Sequence, residues 1–454
     1  MSHMQSTRRQ FLKASAGISA AGIIAPYIPT SSRAKARSAN DGLGVLAIGV
    51  RGRGGGIGRA AGKYGRVVAC CDVDTASIDK FLEELVKQQQ SKPDIYKDYR
   101  KALERKDVDI VTIGTPDHWH TAILIAAMKA GKDVYCEKPM TLTIDEGKKI
   151  CKAAEQTGRV VQVGTQQRTE YKQMFLKAVA IARSGRLGQK LTATCAIGGG
   201  PTGGPFPVTE PPQTLDWDFW LGQAPKVPYS EQRCHGKFRY WLEYSGGKMT
   251  DWGAHHVDIA QWAIGAENTG PIEIEGQGQF PQGRQMTLAM ITRKEAPTDI
   301  PNGYNTATKF SVTLDFANGN TIVVRDGPGN GILLQGEKGR IYVSRRELTG
   351  LPIEEIEASE KQTSWLHNQV IELYNGRQPS THMENFIQSV RRRSESISDV
   401  FTHHRAVSSC HMCNIALLLN RKLRWDPEAE DFISDPKASA MLSRPQRKPY
   451  TIDT

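Results

Sequence analysis

Lys138 stands just past a short apolar run, Val134-Tyr135-Cys136, in the stretch Glu137-Lys138-Pro139. Such a run reads as a buried strand, and ligands of open parallel α/β sheets sit beyond the carboxyl ends of their strands. A lysine held there can hydrogen-bond a reacting oxygen and stabilise the negative charge that develops on it, while Pro139 stiffens the turn that presents it. Further along, Asp251 and His255 are four apart, the spacing that puts two side chains on one helix face. Imidazole titrates near neutrality, and an adjacent carboxylate orients the ring and favours its charged form. His255 therefore reads as a general base with Asp251 as its partner. Sequence leaves the roles of Lys138 and His255 interchangeable, and an Asp one turn from a His is also a common surface pair.

Dehydrogenation also needs a hydride acceptor. The apolar run Gly44–Ile48 enters Gly49-Val50-Arg51-Gly52-Arg53-Gly54-Gly55-Gly56-Ile57-Gly58, followed by helix-forming residues. Strand, glycine turn and helix form the dinucleotide arrangement, in which glycines let backbone amides approach a pyrophosphate at a helix N-terminus. The spacing is imperfect, because the second fingerprint glycine falls at Arg51. A second strand, Val67–Cys71, ends at Asp72, 23 positions after Gly49, about where an acid hydrogen-bonds the adenosine ribose. That acid favours NAD. Arg51 and Arg53 partly offset its charge and keep NADP as the alternative. Asp72 also suits a helix cap before Thr75.

These residues need a scaffold. Helix Thr75–Gln89, strand Val108–Ile113 closed by Thr115-Pro116, helix Trp119–Ala130, the strand before Lys138, helix Ile144–Gln156 and strand Val160–Val163 alternate as βαβαβ units. The expectation is an α/β domain over residues 43–165, a Rossmann doubly wound parallel sheet. From Gly164-Thr165-Gln166-Gln167-Arg168 the pattern changes. Helix Tyr171–Ser184 and strand Leu191–Ala196 precede a Gly/Pro-rich stretch, Gly198–Pro212, of the long kind that is functional or mobile. Alternating strands are expected at 272–276, 309–316, 321–325, 331–335 and 340–344, with an Asn318-Gly319 hairpin, and helices at 384–390 and 406–419. This reads as an α+β domain over 166–430, an open, mostly antiparallel sheet with helices on one face, and a tail, 431–454, packing back on both domains. Trp217, Arg233, Arg239 and Tyr240 offer ring faces and guanidinium donors suited to a sugar, or ties between a long insertion and the core.

Taken together, the glycine turn, Thr115-Pro116-Asp117-His118-Trp119-His120, Glu137-Lys138-Pro139 and Asp251-Trp252-Gly253-Ala254-His255 resemble the glucose–fructose oxidoreductase/inositol dehydrogenase (Gfo/Idh/MocA) family, from about Leu43 to Tyr450. Gly49, Gly52 and Gly54 suit its looser glycine pattern. The resemblance implies an NAD(P)-dependent oxidoreductase of a sugar or glycoside. It puts Lys138, Asp251 and His255 beside the substrate, and Thr115, Pro116, His118, His120, Glu137, Lys138 and Gln166 along the cofactor. Gln166 and Arg168 are expected to touch substrate or nicotinamide. The second sheet would pair subunits into a homodimer or homotetramer. The alternative on the same fold is a glycosidase that oxidises a ring carbon, eliminates the substituent, adds water and re-reduces. A non-catalytic binding protein is a third reading, disfavoured by the intact Lys138, Asp251 and His255.

The net charge of +11 includes five basic residues and no acid in residues 1–36. There, Thr7-Arg8-Arg9-Gln10-Phe11-Leu12-Lys13 resembles a twin-arginine export motif, followed by a weakly apolar stretch and the small-x-small site Ala34-Lys35-Ala36. Residues 1–36 are expected to be a signal peptide and 37–42 a linker, with the protein exported to the periplasm carrying its cofactor. No apolar run is long enough to span a bilayer. Arg391-Arg392-Arg393 reads as a solvated helix face, so no nucleic-acid partner is expected. The eight cysteines lack paired zinc-site spacing, and neither Cys410-His411-Met412-Cys413 nor any other group is expected to hold a metal.

Overall fold

A computed structural model of the chain describes residues 42–452, apart from 90 and 293–300. The twin-arginine motif and the cleavage site lie outside the described residues. Six parallel strands form the first sheet: β1 (Leu43–Ile48), β2 (Gly65–Cys71), β3 (Asp94–Tyr96), β4 (Ile110–Ile113), β5 (Asp133–Cys136) and β6 (Val161–Val163), in the order β3-β2-β1-β4-β5-β6. The order reverses at β1, so the crevice beyond its carboxyl end lies between two sets of loops running in opposite senses. Apart from the exposed edge strand β3, the strands are largely apolar and buried because helices cover both faces. One apolar cluster gathers Leu46, Val111, Ile123 and Val134; another gathers Val45, Val67, Phe81 and Ile110. The covering helices are α1 (Arg53–Gly62), α2 (Thr75–Leu85), α3 (Asp117–Lys129) and α4 (Ile144–Thr157). Asp74 caps α2 and Thr143 caps α4, which stops at Gly158 with φ 60°.

After residue 165 the chain builds a nine-stranded sheet. Its strands are β7 (Leu191–Ala196), β8 (Glu273–Gln279), β9 (Lys309–Asp315), β10 (Thr321–Arg325), β11 (Gly331–Gly336), β12 (Gly339–Val343), β13 (Leu348–Thr349), β14 (Leu423–Asp426) and β15 (Asp431–Phe432). The order is β13-β12-β11-β7-β10-β9-β8-β14-β15, and only the β7–β10 pair is parallel. Burial alternates along β9 and β10, so Val312, Leu314, Ile322 and Val324 enter the core while their neighbours face outward. Helices α5 (Met174–Arg183), α6 (Lys248–Asp251), α7 (Gly253–Ala263) and α9 (Val400–Leu419) supply the apolar layer against that face. The amphipathic α8 (His382–Arg392) instead packs Phe386 and Ile387 into the Rossmann cluster of Phe81 and Ile110.

Three elements differ from the sequence expectation for local reasons. The helix expected from Tyr171 begins at Met174, because Tyr171, Lys172 and Gln173 all have positive φ. The helix expected from Ala406 begins six residues earlier, where the Asp399 carboxylate accepts the N–H groups of Phe401 and Thr402. The helix expected to carry both Asp251 and His255 is two pieces, α6 and α7, separated at Trp252.

The Gly/Pro stretch closes a fourth apolar cluster, with Leu215, Trp220, Trp241, Tyr244 and Tyr304. Its end is tied to the loop after β2: Thr75 N–H donates to Thr214 O, and Asp216 N–H to Val73 O. In the tail, Arg447 bonds Asp218 and Gly222 O, Tyr450 stacks on Phe219, and Ile452 joins the Rossmann core. Among the described residues no helix is long and apolar enough to cross a membrane.

Candidate active site

A cleft of about 900 Å³ opens at the carboxyl ends of the parallel strands and runs to the wall formed by α7 and the β12–β13 turn. Gly49, Arg51, Gly52, Arg53, Asp72, Thr115, Pro116, His120, Glu137, Lys138, Gln166, Arg239 and His255 line it. These come from both domains and from most of the segments that the sequence marks.

At one end the glycines act by what they leave out. Gly49 has φ 71°, and a Cβ there would lie 2.6 Å from Thr115 N. A Cβ on Gly54 would collide with Gly49 O. Both are needed for α1 to close on the β4 loop, although Gly54 itself does not line the cleft. Gly52 has φ 52° and open space where a side chain would stand, and no side chain caps α1. Asp72 accepts Val50 N–H at 2.8 Å and Asp74 N–H at 3.0 Å, locking the glycine turn to the end of β2. Burial pushes its carboxyl up to about 6 despite those bonds. Thr115 Oγ1 is buried without a partner on the same wall. An uncapped helix start, a strand-end carboxylate and an unpaired hydroxyl beside a Cβ-free surface fit a dinucleotide. The glycine turn would take its diphosphate, Asp72 its ribose and Thr115 a polar group further along.

At the other end Lys138 Nζ donates to Asp251 Oδ1 at 2.6 Å and to Asp251 O at 2.8 Å. Arg239 Nε lies 3.4 Å from the same Asp251 oxygen. Burial alone would raise the Asp251 pKa, but the charges of Lys138 and Arg239 outweigh it and hold the carboxyl below its ordinary range. The aspartate is thus the partner of the lysine, and no hydrogen bond joins it to His255. The expected orienting pair is replaced by a pair bridging the two domains. His255 is buried and its Nδ1 has no partner. Burial, then the charges of Lys138, Arg345, His256 and His403, push its pKa well below the usual histidine range, so its imidazole is neutral at neutral pH.

Glu137 Oε1 accepts Arg53 Nε at 2.8 Å and Gln166 Nε2 at 3.1 Å, which fixes the approach to Lys138. His120 lines the cleft, but its ring nitrogens face Pro139 O at 2.7 Å and Thr115 O at 2.9 Å, so it clamps two loops together. Arg51 is exposed and lies 3.8 Å from Asp74.

Several expected contacts fall elsewhere. His118 is buried behind the cleft, its Nε2 at 2.9 Å from Trp220 O. Arg168 is buried in a two-point pair with Asp258, at 2.8 and 2.7 Å, over the Trp262 ring. Arg233 pairs with Glu243 and bonds Tyr244 and Asn302, its guanidinium 3.7 Å from the Trp241 ring centroid. Trp217 stacks on Trp220 and donates to Val227 O, and Tyr240 packs edge-on against Tyr304. None of these five lines the cleft. For Trp217, Arg233 and Tyr240 the alternative in which they tie the insertion to the core is what the structure contains. Arg239 alone of that group reaches the site.

Asp117, Tyr171 and Arg345 also line the cleft, without being among the expected site residues. Asp117 accepts from Ser245 Oγ, and burial pushes its carboxyl up to about 7 against the opposing charges of Arg239 and Lys138. It lies within the Thr115–His120 motif, where the two histidines drew attention instead. Arg345 sits in an ordinary-looking turn, Ser344-Arg345-Arg346-Glu347, and no sequence signal marks it.

A Rossmann sheet whose glycine turn shares a cleft with a strand-end lysine, itself paired to an aspartate of a second, mostly antiparallel domain, defines a two-domain dinucleotide-binding class. The oxidoreductase family's NAD-binding Rossmann model matches residues 47–165, and its C-terminal alpha/beta model matches 204–452. The chain belongs to the Gfo/Idh/MocA oxidoreductase family and carries that family's NAD-binding domain. An alpha-N-acetylgalactosaminidase from Shewanella oneidensis is 31% identical over 210 residues, covering 42% of this chain and 45% of that protein. The match thus spans about half the length of that relative. Among solved structures, the WlbA dehydrogenase from Chromobacterium violaceum, in complex with NADH and UDP-GlcNAcA, has 17% identity and a TM-score of 0.58, covering 86% of this chain and 97% of that one. A levoglucosan dehydrogenase, in complex with NADH and levoglucosan, has 15% identity and a TM-score of 0.52, covering 84% and 99%.

Proposed function

We propose that the protein is an NAD(P)-dependent oxidoreductase of a sugar or glycoside, with hydride passing between a ring carbon and the nicotinamide. The observation that carries the reading is that Lys138, held from behind by Asp251, and neutral His255 line the same cleft as the glycine turn and Asp72. When bound, the nicotinamide supplies the hydride acceptor. Lys138 spends two donors on Asp251, which leaves its third N–H for the reacting oxygen. Held there, that N–H stabilises negative charge on the oxygen. Neutral His255 accepts the hydroxyl proton. With cations around it and no carboxylate bonded to it, it is a weak base, which shifts the electrostatic part of the work to Lys138. Glu137, Gln166 and Arg53 hold the lysine's approach, and Thr115 and His120 hold the loop opposite.

The second reading is a redox-cycling glycosidase on the same fold. It is favoured by the glycosidase name of the Shewanella relative. We also infer export through the twin-arginine route with cofactor bound, a reading supported by residues 7–36, and subunit pairing through the outward face of the nine-stranded sheet.

The test is to denature the purified protein, identify any nucleotide released, and then screen glycosides against the native protein. Stoichiometric NAD(H) or NADP(H), with the absorbance of reduced nicotinamide appearing on one sugar class, supports the oxidoreductase. Sugar released without lasting reduction favours the glycosidase. Protein that neither carries nor takes up nucleotide overturns both.

A further inference from the structure

Most charged groups in and beside the cleft are matched, and the unpaired Lys97 is exposed to solvent. Asp251 is taken by Lys138 and Arg239, Glu137 by Arg53 and Gln166, and Asp74 by Ser77 Oγ, the Ala76 amide and Arg51. Arg345, on the turn between β12 and β13, is different. Its guanidinium lies 4.7 Å from the Tyr171 ring centroid and 4.5 Å from that of Trp252. No hydrogen bond or ion pair joins it to any described residue, and its Nε is buried without a partner. Two rings hold a guanidinium well by its faces, but they leave its in-plane N–H donors unmet, and such donors are costly to bury.

The position is built rather than incidental. Tyr171, Lys172 and Gln173 have φ of 59°, 54° and 59°, a left-handed run that costs side-chain-bearing residues energy and sets the Tyr171 ring against Arg345. Arg345 and His255 share one wall of the cleft, and Trp252, which flanks Arg345, also packs on the His255 ring at 5.9 Å between centroids. The neighbouring Lys138–Asp251 pair and His255 mark this as the reacting end, to which the second domain contributes Asp251, His255 and Arg345.

We propose that Arg345 receives a carboxylate on the substrate, so that the sugar oxidised here is a sugar acid of the uronic type. The inference rests on the oxidoreductase reading. A planar guanidinium fork matches a carboxylate through two parallel bonds, and the single positive charge held between the two rings calls for a single negative one. A phosphate dianion would leave charge over.

The experiment uses the full chain with its nucleotide. Binding of glucuronate, galacturonate, glucuronamide, glucose, glucose 6-phosphate and inorganic phosphate is followed by quenching of bound NADH fluorescence. At least one uronate is expected to bind about 10- to 100-fold more tightly than its uncharged amide or sugar. Arg345→Gln removes that preference while nucleotide content stays unchanged. If Arg345→Gln does not fold, the acid-against-amide comparison on the unaltered protein decides. A panel in which no uronate beats its neutral counterpart overturns the proposal, as does tighter binding of either phosphate, or loss of nucleotide instead of sugar in Arg345→Gln. Neutral sugars reducing the cofactor with no gain from the acid sink this inference and leave the oxidoreductase standing. Absence of nucleotide sinks both.

Discussion

Acidification should destabilise this protein, and the buried histidines set the size of the effect. Burial lowers His118 and His256 to about 4, and His382 and His411 to about 3. Each stays neutral in the fold while its unfolded counterpart takes a proton below about 6.5. Their contribution is therefore whole above that pH and is lost as pH falls toward the folded values. Between about pH 7.5 and about pH 5 each costs about 2 kcal/mol, about 8 kcal/mol for the four. Asp72 and Asp117 act in the opposite sense. Their folded values of about 6 and about 7 mean the fold binds protons that the unfolded chain has released, so lowering the pH relieves them. Over the same interval they return about 4 kcal/mol. The net loss is about 4 kcal/mol, or a fall in Tm of about 5 °C for roughly 400 ordered residues. His255 and His403 add to the acid loss, and Glu146 and Asp258, whose pKa values are raised by burial, oppose it. Scanning calorimetry or dye-reported melting across this interval reads the effect directly. His118→Gln, which can still donate to Trp220 O but does not titrate, should remove about 2 kcal/mol of the dependence. A Tm that is flat or rises toward pH 5 would refute the reasoning, because the relieved carboxyls would then outweigh the histidines.

Lys138→Met should lower kcat by roughly two to four orders of magnitude with the protein still folded and nucleotide still bound, since it removes the donor to the reacting oxygen. Asp251→Asn should cost less, about 10- to 100-fold, and should move the pH profile of kcat/KM, because Lys138 loses its carboxylate partner. Gly49→Ala should empty the protein of nucleotide and lower Tm, since its Cβ would lie 2.6 Å from Thr115 N at a φ of 71°. Arg233→Met should destabilise by about 3–5 kcal/mol, by leaving Glu243 buried without its cation, while sugar affinity per folded molecule stays unchanged. A specific loss of sugar binding in that variant would return Arg233 to the site.

The Rossmann half was legible because its information is local. Apolar runs of strand length, a glycine turn and Asp72 at a strand end depend on nearest neighbours, and parallel βαβ units close in only a few ways. The same held for Lys138, which must fall at a strand end once β5 is recognised. The second domain was legible as a set of strands but not as an order: β7 lies between β10 and β11 although more than a hundred residues separate them, and nothing in the alternation of side chains encodes that neighbour.

Partners across the fold were not legible at all. Asp251 is four residues from His255 in the chain, yet it serves Lys138, because the turn at Trp252 separates the two helical pieces and the closing of the domains brings a cation to the aspartate. Arg168, Arg233 and Arg345 are alike as residues. Asp258 and Glu243 neutralise the first two in the interior, while the third has only two rings for company in the cleft. Sequence alone determined which chemistry the chain carries and at which strand ends it stands. Tertiary packing decided which charges are spent on holding the fold and which remain for a ligand, because a charge's role depends on what is buried against it, and that is a property of residues far apart in the chain.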